Sequence, residues 1–154
     1  MKIKTLSKSD IKQLNNEILS IYGIEPLTKK DNVLVEEHED GLKLIRVNGK
    51  YSYFLHDGKP VPTLKAEPGF LKRITVDMGA VRFLCSGADL MRPGIVDIED
   101  GIKAGDIVGV IDTDNRKMLM IGCAILDSDA MREQKSGKSA TSLHYAGDRI
   151  WKKT

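Results

Sequence analysis

Residues 76–95, VDMGAVRFLCSGADLMRPGI, constrain the fold more than any other stretch because they contain two Gly-Ala pairs and a Pro-Gly. A glycine inside a helix or strand costs about 0.5–1 kcal/mol relative to alanine. The stretch therefore predicts short elements with tight ends. We expect a helix of about two turns in GAVRFLCSG. Gly79 would start it close against a sheet, Gly87 would end it in the left-handed conformation, and Ala88 and Gly94 would be tight packing points.

The same stretch also admits a binding role, and the residues alone leave both interpretations open. Gly87, Pro93 and Gly94 would leave main-chain groups uncovered, and Arg82 and Arg92 would supply charge-assisted contacts to a phosphate or an extruded base. An interior charge is costly unless it is paired. We therefore expect Arg92 to be largely exposed, on the same side as Arg82.

The residues after position 69 predict a small, partly open barrel that carries short helices. A short helix in SDAMRE would be capped by Ser128, and Trp151 would anchor a closing strand. An Asp/Asn turn in TDNR would join two of the strands. The expected strands are FLKRITVD, GIVDIED, DIVGVID, KMLMIGCAIL and SLHYAGDRIWK.

The residues before position 70 predict a helix on an antiparallel meander. Apolar residues recur at helical spacing from Ser7 to Tyr22, with a capping box at the start and Gly23 at the end. Asn48-Gly49 between two β-rich runs predicts a hairpin, because a type I′ turn needs positive φ at both positions. Residues 56–69 contain three prolines, which suit an edge strand or a connector. We place a domain boundary near their end.

Composition limits the class of protein. The chain of 154 residues is 41% hydrophobic and 30% charged, which is typical of a globular protein. It contains no apolar run of about 18 residues. Its first ten residues include lysines but no apolar segment, so we expect no secretory signal and a cytoplasmic protein.

Charge is unevenly distributed although the net charge is only +2. The net charges are +1 in residues 1–64, +2 in 65–92, −5 in 93–131 and +4 in 132–154. A fold that gathers the basic segments on one face would give phosphates a binding surface. Scattered, solvated charge explains the same numbers.

Recognised catalytic and metal motifs fail on spacing. Cys85 and Cys123 lack the paired spacing of zinc ligands and stand in apolar runs, which favours buried free thiols. SGKS at 136–139 resembles the end of a P-loop, but Arg132 stands where that motif needs glycine. No EF-hand spacing is present. A thiol nucleophile paired with a histidine stays open as a less favoured alternative.

Several motifs together resemble the PUA domain, over about residues 70–152. These are Asp77, Gly79-Ala80, Gly87-Ala88, Pro93-Gly94-Ile95, Gly105-Asp106 and the run IGCAIL. The ending LHYAGDRIWK resembles the malignant T-cell-amplified sequence family and its archaeal relatives.

The resemblance implies an α+β protein. An α/β pre-PUA domain (1–69) would precede a mostly β PUA pseudo-barrel with short helices (70–154). It also implies a non-catalytic RNA-binding protein without cofactor or metal, on the small ribosomal subunit or tRNA in translation initiation, re-initiation or recycling. A partner similar to density-regulated protein is implied for eukaryotic members. The alternative within RNA metabolism is a stand-alone targeting subunit of a tRNA- or rRNA-modifying enzyme.

The candidate RNA-binding residues combine cations with the glycine-rich loop. They are Lys72, Arg73, Arg82, Gly87, Ala88, Met91, Arg92, Pro93 and Gly94.

Overall fold

Helix α1 (Lys8–Tyr22) forms as its sequence signals predict. In the computed structural model, which describes residues 1–154, Ser7 Oγ accepts the Asp10 N–H at 3.1 Å and the Asp10 carboxylate accepts the Ser7 N–H at 3.3 Å. The helix ends at Gly23, with φ 75°. Its buried side chains are Ile11, Leu14 and Ile18. At 15 residues it is the longest helix, and none of the helices combines the length and the hydrophobicity that a membrane span needs.

The predicted meander is a five-stranded antiparallel sheet in chain order. Asn48 (φ 50°) and Gly49 (φ 84°) make the expected turn between the third and fourth strands. The proline-rich segment supplies the edge strand, followed by a 3-10 turn at Leu64–Ala66. The strands are β1 (Lys2–Thr5), β2 (Val33–Glu37), β3 (Lys43–Val47), β4 (Lys50–His56) and β5 (Lys59–Pro62).

The core of this part lies between α1 and one face of the sheet. Val33, Ile45 and Tyr53 are buried there in one cluster with the apolar side chains of α1. Burying such side chains is worth roughly 1.5–3 kcal/mol each. Hydrophobic burial therefore joins the helix to the sheet.

The chain divides into two compact units, Met1–Ala66 and Glu67–Thr154. The boundary expected after residue 69 lies three residues beyond this division. Each unit has a hydrophobic cluster of its own.

The second unit has a six-stranded sheet in the order β7-β11-β10-β9-β6-β8. β6 and β9 are parallel and the other neighbours antiparallel. With both units, the chain has the expected α+β fold. The elements are β6 (Arg73–Val76), α2 (Met78–Leu84), β7 (Leu90–Met91), β8 (Ile95–Ile98), β9 (Ile107–Asp112), β10 (Met118–Ala124), α3 (Ser128–Glu133), β11 (Lys138–Tyr145) and α4 (Arg149–Lys153).

The predicted cap of α3 is wrong. The N-cap is Asp127, and Ser128 is the first helical residue. Ser128 Oγ instead accepts the Ile102 N–H at 2.9 Å and donates to the Glu99 carbonyl at 2.7 Å. Its hydroxyl therefore ties the helix to the segment after β8.

The predicted closing strand is too long. β11 ends at Tyr145, and the chain turns at Gly147, with φ 97°. Asp148 then caps α4 by accepting the Trp151 N–H at 2.8 Å. Trp151 therefore lies in a helix.

Candidate nucleic-acid interface

The start of α2 is locked to the loop that enters β8. Asp77 Oδ1 accepts the Ala80 N–H at 3.1 Å, and the Asp77 N–H donates to the Gly94 carbonyl at 2.8 Å. Gly94 has φ 96°, and a Cβ there would lie 3.2 Å from the Cβ of Ala80. The expected tight packing at Gly94 is confirmed, because both its conformation and its neighbour require glycine.

The end of α2 is closed by Gly87 in the left-handed conformation, as predicted, with φ 95°. The Gly87 N–H donates to the Leu84 carbonyl and the Ala88 N–H to the Phe83 carbonyl, both at 3.1 Å. This pair of bonds is the Schellman motif. It occupies the Gly87 N–H, one of the main-chain groups that were expected to be uncovered, so Gly87 can offer only its carbonyl oxygen.

The loop after α2 is joined to the loop that precedes β11. Met91 pairs with Lys138 across the sheet, and the Arg92 N–H donates to the Gly137 carbonyl at 2.8 Å. Lys138 Nζ lies 2.8 Å from Asp89 Oδ2, while Asp89 Oδ1 accepts the Ser142 N–H. The hydrogen bond from Lys138, with that from Ser142, lowers the pKa of Asp89 below 3.8.

Lys138 is the residue of this site that sequence analysis missed. It belongs to the SGKS segment, whose P-loop interpretation fails on spacing. The remaining signal was a basic loop directly before a strand. Lys138 lies beside Met91 because β7 pairs with β11, and this pairing depends on the tertiary fold rather than on a local sequence pattern.

Arg92 is half-buried, so the prediction of a largely exposed side chain is wrong. Its Nη1 donates to the Ile95 carbonyl at 3.2 Å, and its buried Nε has no partner within the protein. The turn through Pro93 and Gly94 folds the side chain back onto its own loop. That Arg92 and Arg82 face the same side stays a prediction.

The exposed surface of α2 carries a cation on an aromatic ring. Arg82 Cζ lies 4.9 Å from the centroid of the Phe83 ring, and 56% of Phe83 is exposed. Met91 is exposed too, while Gly87, Ala88 and Pro93 leave the loop open to solvent. Exposed aromatic rings and guanidinium planes are the groups on which unpaired bases stack.

Lys72 and Arg73 form a second group, at the start of β6. Together with Arg116 they line a pocket of about 300 Å³ beside β6 and β8. The structure thus divides the nine candidate residues between this pocket and the segment from α2 to the start of β8.

The His-Tyr and Asp residues of the C-terminal motif have structural roles behind the loop. Asp148 accepts hydrogen bonds from buried His144 (2.9 Å to Nδ1) and from the N–H of Tyr145. Burial raises the pKa of Asp148, but hydrogen bonds from His144, Trp151 and Tyr145 outweigh it and hold that pKa below 3.8. The Tyr145 ring lies against Gly87, where a Cβ would approach its hydroxyl to 3.2 Å.

The two cysteines are free and only half-buried, less than their apolar surroundings predicted. Burial raises the pKa of Cys85, and burial with the nearby Asp106 raises that of Cys123. Both shifts disfavour the thiolate, which is the reactive form. This argues against the thiol-enzyme alternative.

Comparisons with known proteins agree with this architecture. The PUA domain family model matches residues 72–146. An uncharacterised protein of Methanocaldococcus jannaschii is 38% identical over 95% of this chain and 93% of its own length. Translation machinery-associated protein 20 of Schizosaccharomyces pombe is 32% identical over 83% of this chain and 75% of its own length. Malignant T-cell-amplified sequence 1 of Rattus norvegicus is 29% identical over 95% of this chain and 87% of its own length.

Solved structures extend the similarity to the whole fold. A hypothetical protein of Pyrococcus horikoshii OT3 matches with TM-score 0.87 and 34% identity over 99% of both chains. A chain of an H/ACA RNP bound to a substrate RNA matches 61% of this chain with TM-score 0.51 and 29% identity, over 29% of its own length. The chain therefore belongs to the PUA-domain family of translation machinery-associated protein 20 and the malignant T-cell-amplified sequence proteins.

Proposed function

We propose that this protein binds RNA through its loop surface, formed by the exposed side of α2, residues 87–94 and Lys138. The observation that carries the proposal is the exposed Phe83 ring with the Arg82 guanidinium beside it. A base stacked on the ring would lie close to a cation that can contact its phosphate.

Three cations contribute to the loop surface in different ways. Arg82 is exposed, Arg92 is half-buried, and Lys138 is paired with Asp89. An RNA phosphate would compete with the Asp89 carboxylate for Lys138. Binding therefore combines stacking with a small number of phosphate contacts.

We place this RNA binding in translation, on the small ribosomal subunit or tRNA in the cytoplasm, without a catalytic step. Support comes from the names of the relatives, which refer to the translation machinery. A protein similar to density-regulated protein is the proposed partner, as the family resemblance implies.

A second candidate is a targeting subunit of an RNA-modifying enzyme. The similarity to a chain of an H/ACA RNP bound to substrate RNA favours it. Sedimentation of the tagged protein with ribosomal subunits supports the first proposal, whereas co-purification with a modifying enzyme and absence from ribosomal fractions supports the second.

Substituting Phe83 by alanine tests the loop surface directly. Base stacking on an aromatic ring is worth about 1–3 kcal/mol, so Phe83→Ala should weaken RNA binding by roughly five- to 160-fold. Its exposure predicts a melting temperature close to that of the wild type.

The matched control is Ile125→Ala, which removes another exposed apolar side chain of the same unit, 43% exposed. Fluorescence anisotropy with a single-stranded RNA, at one fixed salt concentration, measures both variants. Equal affinity of the two variants would contradict the loop surface as the RNA site.

A further inference from the structure

The pocket beside β6 and β8 gathers charges of both signs. Its volume is about 300 Å³, which is at the small end of the range for ligand pockets. Its charged lining residues are Lys72, Arg73, Asp97, Glu99 and Arg116.

Strand geometry explains why three of these side chains converge, those of Arg73, Asp97 and Glu99. Thr75 lies opposite Asp97 in the β6–β8 ladder, and the Glu99 N–H donates to the Arg73 carbonyl at 3.0 Å. Because alternate residues of a strand share one face, Arg73 with Thr75 and Asp97 with Glu99 fall on the same side. The sheet edge thus sets two carboxylates beside Arg73.

Arg116 reaches the pocket from the turn between β9 and β10. It has φ 53°, and its N–H donates to the Asp112 carbonyl at 3.1 Å. The Asp112 carboxylate accepts the N–H groups of Asn115 and Lys117. This buried aspartate therefore fixes the turn that carries Arg116.

The five charged side chains do not neutralise one another in pairs. No ion pair within 4.0 Å joins any of them to another charged side chain. Three cations and two carboxylates thus face a pocket whose ligand must offer both an anion and hydrogen-bond donors.

We propose that this pocket binds a guanosine 5′-phosphate group, either as a free nucleotide or as one nucleotide of an RNA. The phosphate would contact Lys72, Arg73 and Arg116. The N1–H and N2–H of guanine are two parallel donors, which match one carboxylate, that of Asp97 or of Glu99. Adenine and cytosine instead present a ring-nitrogen acceptor beside their single amino group, and that acceptor repels a carboxylate.

This inference deepens the proposed RNA binding and rests on it where the nucleotide belongs to an RNA. The probes are GMP, AMP and inorganic phosphate, measured by calorimetry on the full chain. Two RNA hexamers with a 5′-phosphate complete the set, one beginning with guanosine followed by adenosines and the other entirely of adenosine. We expect GMP to bind at least about tenfold more tightly than AMP or phosphate, as a bidentate contact predicts.

The double variant Asp97→Asn/Glu99→Gln should abolish the preference for GMP over AMP and leave phosphate binding intact. Its control, Asp114→Asn/Glu133→Gln, removes the same charge outside the pocket lining. Arg116→Gln should weaken binding of both nucleotides, whereas Lys117→Gln, at the next residue, should not.

The outcomes separate this inference from the proposed function. Equal binding of GMP, AMP and phosphate, or a variant indistinguishable from its control, overturns the guanine pocket. RNA hexamers that bind equally well regardless of guanosine, with GMP still preferred over AMP, leave RNA binding standing and support the pocket for free nucleotides only. GMP binding without hexamer binding supports the pocket for free nucleotides and contradicts the RNA proposal.

Discussion

Gly87 is held by two independent constraints, one from its backbone and one from a neighbour. Its φ of 95° is rarely adopted by other residues, and a Cβ there would lie 3.2–3.3 Å from three atoms of Tyr145. The glycine therefore both ends α2 and admits the tyrosine ring beneath the loop surface.

Replacing Gly87 by valine should lower the free energy of unfolding by at least about 1–2 kcal/mol from backbone strain alone. Gly105→Val is the matched control, because Gly105 has φ 93° and a Cβ added there would meet no atom within 4 Å. Crowding by Tyr145 predicts a larger loss at Gly87 than at Gly105. Chemical denaturation measures both, and equal losses would show that the ring moves aside without cost.

Arg92 and Arg82 differ in how the fold uses them. Arg92→Ala removes the hydrogen bond to the Ile95 carbonyl and the packing of a half-buried side chain. We expect a loss of roughly 1 kcal/mol in unfolding free energy. Arg82→Ala, at an exposed position, should change it by no more than about 0.5 kcal/mol. Thermal unfolding of both variants checks this, and the reverse order would contradict the burial of Arg92.

At the scale of elements, the sequence predicts what local chemistry encodes. Helix α1 and the hairpin between β3 and β4 carry their own signals, the Ser7–Asp10 capping box and Asn48-Gly49. Strand β7 has two residues and exists because β11 lies beside it. No local pattern encodes that register, so the proximity of Lys138 and the folding back of Arg92 were unpredictable.

Asp148 joins two elements, β11 and α4, and its effect should depend on pH. Its pKa in the folded protein is lowered below 3.8, so on acidification the unfolded chain takes up the proton first. The ionised carboxylate therefore adds stability above about pH 4, which is lost as the pH falls through the lowered folded pKa. Asp148→Asn keeps a good N-cap but removes the charge.

The measurement is the difference in unfolding free energy between wild type and Asp148→Asn from about pH 6 to pH 2. We expect that difference in unfolding free energy to be constant near pH 6 and to shrink as the pH falls below about 4. A difference that does not vary with pH would assign the role of Asp148 to hydrogen-bond geometry alone.

Net charge cannot supply the affinity for RNA, because the whole chain carries only +2 and the unit that holds both candidate sites carries no net charge. Residues 67–154 carry 13 Lys/Arg and 13 Asp/Glu. Arg132 is engaged by Asp100 and Asp129. At physiological salt, exposed charges act over about 8 Å. The attraction for phosphates is therefore local, at the loop surface and at the pocket of Lys72, Arg73 and Arg116.

The salt dependence of RNA binding counts those local contacts. Each single-strand phosphate contact contributes about −0.7 to the slope of log affinity against log salt. Three cations at the loop surface predict a slope of about −2, and the pocket's three cations extend it to about −4 if one RNA engages both groups.

The titration runs from about 50 to 200 mM KCl, where such slopes are resolved. Arg116→Gln should make the steeper slope shallower by about one contact, whereas Lys117→Gln should leave it unchanged. A slope near zero would exclude phosphate contacts as the source of affinity and leave base stacking on Phe83 as the main contribution.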